Sequence, residues 1–188
     1  MSTALQIEAT QLKRELLSTL VKNQKPNGEF ETFALLRDAN QFYIGASPFA
    51  TAHIAYLLSG IENTEAKQIV SKAVEFLEQL DYTGKRIYKY WYGSTTGTAF
   101  PLLPIDLDDT SVVNQVLALQ KRKTADPEIL LNNRNSKQQF YTWLKPSVKT
   151  LLKHPSLFSV FAEYRKMYHI FLKNSDNLRM AEYNDTEI

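Results

Sequence analysis

The run Asp106-Leu107-Asp108-Asp109-Thr110 holds the side chains of this sequence best suited to chemistry. It places three carboxylates within four residues. Withdrawn from water together, such groups cannot all ionise cheaply, because burial and like charge each raise a carboxyl pKa. A carboxylic acid kept protonated near neutral pH can serve as a general acid. The same residues have a structural use. Asp108, Asp109 and Thr110 all suit a helix N-cap or first turn, where side-chain oxygens accept from free backbone N–H groups and carboxylates interact well with the helix dipole. Both uses can hold at one site.

Other chemistries fit less well, and neither a cofactor nor a metal is expected. A Mg²⁺-diphosphate site wants carboxylates a helical turn apart, yet no acidic residue follows Asp109 before Lys121. Cysteine is absent, which removes thiolate metal sites, disulfides and a cysteine nucleophile. His53, His154 and His169 are far apart in the chain. His53 lies on an uncharged helical segment, where it either lines a cavity or sits in the core with a hydrogen-bond partner. No serine occupies a nucleophile turn, and no Gly-rich phosphate loop is present. The aromatic stretch from Tyr82 to Tyr92 reads first as packing.

The elements that must position the aspartates are helices. Ala4 to Lys22 carries Leu5, Ala9, Leu12, Leu16 and Leu20 at helical spacing, an amphipathic pattern with one buried stripe. Pro26-Asn27-Gly28 breaks it. Ser47 to Ser59 has Ser47 as N-cap, Pro48 at the first helical position and Gly60 at the C-terminal left-handed position. It carries no charged face, so it is expected to be buried on several sides. Thr64 to Leu80 is amphipathic again, with Ile69, Val70, Val74, Phe76 and Leu77 on its apolar side. Tyr82 to Trp91 reads as an ordered loop with a short strand, and Ser94 to Pro104 as a second loop. Asp109 to Leu119 is the second low-charge helix, a short helix is read at Ser147 to Lys153, and Ser156 to Lys173 is a third long helix. The order alternates amphipathic with neutral. It predicts an all-α fold in which outer helices cover inner ones, as in stacked helical hairpins. The pair Asp109-Thr110 is echoed by Asp185-Thr186 near the end of the chain. The expectation is therefore a single partial domain over residues 1–188 that stops at the start of a further inner helix, a truncated or half unit.

This pattern resembles the α/α-toroid superfamily of terpene cyclases and protein prenyltransferase subunits. The resemblance rests on the alternation of helices and on two motifs. Gln24-Lys25-Pro26-Asn27-Gly28-Glu29-Phe30 is similar to the Gln-to-Trp loop motif of squalene–hopene cyclases, with Phe30 in place of the Trp. Asp106-Leu107-Asp108-Asp109-Thr110-Ser111 is similar to the Asp-x-Asp-Asp-Thr-Ala motif of class II, protonation-initiated cyclases, with Ser for Ala. The resemblance implies an incomplete toroid of two outer/inner hairpins and the opening of a third. By motif position it implies Asp108 as the general acid that protonates an alkene or epoxide. Asp106 and Asp109 would orient Asp108 or tune its acidity. Aromatic π faces could steady the resulting cation, with Tyr88, Tyr90, Trp91, Tyr92 and Trp143 as candidates by location.

Bulk properties set the remaining expectations. The chain has 188 residues, 44% of them hydrophobic, and a formal net charge of +2. That is one domain with a sizeable core. No basic stripe argues for nucleic acid, no stretch approaches the roughly 20 apolar residues of a membrane span, and the lack of cysteine fits a cytoplasmic location. The partner expected is an isoprenoid or other apolar small molecule. Self-association is also expected, because a half toroid exposes inner-helix surface. The competing reading is a non-catalytic helical scaffold or binding module in which the Asp cluster only caps a helix. A glycan-active α/α barrel ranks last, since it would need a pair of cavity carboxylates and only this cluster is available.

Overall fold

The computed structural model describes residues 3–36, 41–92 and 103–173. Among these the chain is mostly helical: α1 (Thr3–Asn23), α2 (Pro48–Leu58), α3 (Thr64–Gln79), α4 (Leu107–Leu119), α5 (Pro127–Leu131), α6 (Val148–Lys153) and α7 (Phe158–Lys173), with a 3-10 turn at Pro155–Leu157. The all-α expectation needs one correction. Two small antiparallel sheets are present, β1 (Thr32–Leu36) with β2 (Gln41–Gly45), and β3 (Tyr88–Lys89) with β4 (Ile105–Asp106). The Asp185-Thr186 echo and most of the Ser94–Pro104 loop lie outside the described residues.

The neutral helices α2 and α4 pack side by side, and α3 covers both. Ala52 and Ala55 of α2 are fully buried, and their short side chains admit Ile69, Val70 and Leu77 of α3 and Val113, Val116 and Leu117 of α4 into one core. A second cluster gathers Ile87, Ile105, Ile129, Leu144, Leu157 and Val160, joining both β3–β4 flanks to α5 and α7. The neutral helices are not covered all round, as their patterning suggested. Phe49, Tyr56 and Leu57 of α2 and Leu119 of α4 are exposed. The stripe expected to bury α1 is likewise corrected. Leu12 and Leu16 stand in water, and among the described side chains of this helix Leu17 and Leu20 reach the core.

Caps fix the helix starts. Ser47 Oγ accepts the Phe49 N–H at 3.2 Å before α2, and Ser147 Oγ accepts the Thr150 N–H at 3.2 Å before α6. Helix α4 starts two residues before the expected Asp109, and its N-cap is Asp106. Gly60 does not take the left-handed conformation expected of it, because α2 already ends at Ser59 in ordinary helical geometry.

A repeat emerges that patterning did not show. Thr51 and Thr110 stand at the same distance from the N-caps Ser47 and Asp106. Both are fully buried. Thr51 Oγ1 accepts the Phe30 N–H at 2.9 Å, and Thr110 Oγ1 accepts the Tyr88 N–H at 2.9 Å while its hydroxyl donates to Tyr88 O at 3.3 Å. In each case the threonine anchors the loop that precedes its helix. Thr110→Val keeps the shape but strands two buried backbone groups of Tyr88, so it is expected to cost about 2–3 kcal/mol in urea unfolding. A loss below about 0.5 kcal/mol would show that the loop is held by packing alone.

Candidate functional site

The N-terminus of α4 is clamped on both sides. Asp106 pairs with Tyr88 across β3–β4 and forms a bridge to Trp143 on its other side. Leu107 N–H donates to Thr142 O and Leu144 N–H to Ile105 O, each at 2.8 Å. This backbone is therefore the middle of a three-stranded patch, and the side chains that leave it have fixed directions.

Three carboxylates leave this clamp in two directions. Asp106 and Asp109 are buried, 4% and 3% exposed. Asp106 Oδ1 accepts the Asp109 N–H at 2.9 Å, which is the helix cap. Asp108 lies between them in sequence but is exposed. Helical geometry explains the split: N-cap and N3 share a face, and N2 is turned away from it.

Burial dominates the acidity of the pair. It pushes the Asp106 carboxyl well above the ordinary carboxylate range, and the neighbouring charges of Asp109 and Asp108 push it further. Asp109 is also raised, again chiefly by burial, while Asp106 and the charge of His53 hold it back. The pair thus retains a proton at pH values where an exposed aspartate has lost it, with the proton favouring Asp106. Asp109 Oδ1 is buried and has no hydrogen-bond partner among the described residues.

Aromatic and imidazole rings stand next to the pair. His53 Nδ1 lies 2.8 Å from Phe49 O. A carbonyl only accepts, so Nδ1 carries the proton of this hydrogen bond. The His53 and Phe49 ring centres are 4.4 Å apart, and the Phe49 and Tyr90 centres 5.7 Å. Burial and the charges of Asp109 and Asp106 raise the Tyr90 hydroxyl.

The other aromatics singled out from sequence are differently placed. Tyr88 and Trp91 are packed inside the core at 0% and 1% exposure, and the Trp91 ring lies against Gly45, where a Cβ would approach Cε2 to 2.5 Å. Tyr92 Oη accepts the Lys89 N–H at 3.0 Å, so it braces its own loop. Trp143 is half-buried beside Asp106 on the opposite side from Tyr88. Phe49 was missed by the sequence reading. Its one signal was the i, i+4 spacing to His53.

His154 and His169 take no part in this group. His154 Nε2 lies 3.5 Å from Asp126 Oδ2, and His169 is exposed on α7. Among the described residues no group of three or more His, Cys, Asp or Glu is placed to hold a metal ion, and no helix is long and apolar enough to cross a membrane. Comparison with family models, curated proteins and solved structures finds no match to this chain.

Proposed function

We propose that the chain is a terpenoid cyclase-like helical unit of the α/α-toroid type, whose chemistry is proton donation to an isoprenoid or similar apolar substrate. One observation carries the reading, the buried Asp106–Asp109 pair with an unpartnered carboxyl oxygen. Capping accounts for Asp106, because its Oδ1 takes the Asp109 N–H. It does not account for Asp109, which is 3% exposed and whose Oδ1 has no hydrogen-bond partner among the described residues. Burying such a group costs free energy that a scaffold has no reason to spend.

In this reading the proton is held by the pair rather than by Asp108, which the resemblance puts forward as the acid. An acid needs an environment that keeps its proton, and burial supplies one at Asp106 and Asp109. Electrophilic addition to an alkene starts when the O–H proton moves to carbon and its electrons stay on the carboxylate. The rings of Tyr90 and Phe49 could then face the cation through their π clouds. Packing of the inner helices α2 and α4 under α3 supports the toroid comparison.

The test is turnover of squalene and of geranylgeraniol in detergent, with product detection by mass spectrometry. Asp106→Asn and Asp109→Asn are each expected to lower any cyclisation by 100-fold or more, in the range that removal of a general acid produces. If Asp108→Asn abolishes turnover while both of the others stay active, the acid is Asp108. If no variant changes product formation, or none is formed, the capped scaffold is the better description.

A further inference from the structure

A cleft separate from the buried pair opens on the other side of α4. Its walls are Leu107 and Val112 of α4, Leu130 and Leu131 of α5, and Phe140 from the loop beyond, and they enclose about 530 Å³. That volume suits one small ligand. Two polar residues reach it, Asp108 and Ser111. Ser111 hydroxyl donates to Leu107 O at 2.6 Å, so its proton is spent within the helix. Asp108 forms no ion pair or hydrogen bond through its side chain among the described residues. Lys137 and Lys145 are nearest to the Phe140 wall in sequence and do not line the cleft, and the cation set against that wall is Arg134. It lies over the Phe140 ring at 5.0 Å, donates through Nε to Leu131 O at 2.7 Å, and does not line the cleft.

An apolar cleft with one carboxylate on its wall is selective by charge. A carboxylate or phosphate amphiphile would bring like charge against Asp108. A neutral hydrocarbon would gain the walls but nothing from Asp108. A ligand with an apolar body and a single ammonium group would use both, through burial of its chain and a charge-assisted hydrogen bond. We infer that the α4–α5 cleft is a binding site for a small amphiphilic cation, an alkyl or aryl primary amine, with Asp108 as its counter-ion.

This site goes beyond the proposed proton chemistry and does not depend on it, since neither Asp106 nor Asp109 lines the cleft. The probes are n-octylamine, n-octanol and sodium octanoate, titrated into the whole chain at low salt. Methyl NMR of leucine and valine reports the location. Octylamine is expected to bind at least tenfold more tightly than octanol, to shift the methyls of Leu107, Val112, Leu130 and Leu131, and to weaken as salt is added. Asp108→Asn is expected to lose that tenfold preference, and octanol binding is expected to stay within twofold. Asp106→Asn is expected to leave octylamine binding unchanged, which separates this cleft from the buried pair. The inference is overturned if octanoate or octanol binds as well as the amine to the unmodified chain. It is also overturned if the methyl shifts fall elsewhere, or if a folded Asp108→Asn chain binds the amine normally.

Discussion

Gly28→Ala is expected to be the most damaging single-methyl change in this chain, with a loss of about 3–5 kcal/mol in urea unfolding. Two independent effects add. Gly28 has φ +94, a conformation that costs an L-residue about 1–2 kcal/mol. A Cβ there would also overlap the carbonyl oxygen of Lys72 in α3, which is backbone and cannot rotate away. Relief would need the whole loop to lift from α3. Gln24 Nε2 donates at 3.0 Å to Gly28 O and at 2.9 Å to Ile69 O, so lifting the loop breaks the tie between the end of α1 and α3. Phe30, 5% exposed, would leave the core and release its N–H from Thr51 Oγ1. For a domain of this size the expected fall in Tm is about 10 °C or more. A shift under about 2 °C would mean that the loop is not seated on α3.

The Gln24–Phe30 loop also shows what local sequence can and cannot announce. Gln24 and Phe30 form a backbone bridge, and so do Arg134 and Phe140 at the same spacing. The residue at the matching position in the second loop is Gln138, which adopts φ 68. Gly28 advertises the left-handed turn because glycine is the residue that tolerates it. Gln138 conceals the same turn, because a glutamine gives no sign of a left-handed backbone. Strand β4 was hidden for a related reason, and β3 showed only as a short strand somewhere between Tyr82 and Trp91. Two residues give no periodicity, and their pairing depends on partners far along the chain.

Helices were legible where their signals are local. Ser47-Pro48, the alternating faces of α3 and Ser147 before α6 each contain what the structure uses. The start of α4 was not, because Asp106, Asp108 and Asp109 are equally good caps. The choice is made by Tyr88 and Trp143, which pin Asp106 from both sides in extended geometry. That placement decides the site as well. With α4 beginning at Leu107, the first-turn geometry puts Asp106 and Asp109 together and turns Asp108 outward. Composition revealed an acidic cluster. Which carboxyls lose water follows only from the register of the helix. The burial of α1 was illegible for a simpler reason, since a stripe of leucines shows where a helix could pack and not whether a neighbour is there.

The second large effect is on the pH dependence of stability, and it follows from the buried pair. Both carboxyls have folded-state pKa values raised above those of the unfolded chain, chiefly by burial. The folded state therefore binds more protons than the unfolded state above about pH 4, where free aspartates ionise. Under linkage that makes stability fall as pH rises through this window, by about 1.4 kcal/mol per pH unit for each excess proton. The contribution is fully present below the unfolded pKa and is lost as pH passes the folded pKa, first for Asp109 and at higher pH for Asp106. Urea midpoints at pH 5, 6.5 and 8 are expected to decline in that order. Asp106→Asn should remove most of the decline, because asparagine Oδ1 can still accept the Asp109 N–H and asparagine caps helices as well as aspartate does. At pH 8 the variant should then match or exceed the parent in stability while losing the group that stores the proton. Asp108→Asn should leave the slope largely intact, since Asp108 acts on the pair only through its charge. A parent chain whose stability rises from pH 5 to pH 8, or an Asp106→Asn chain with an unchanged slope, would mean that the pair is ionised and solvated. In that case the proton-donor reading loses its physical basis, and the cap is all that remains of the aspartate cluster.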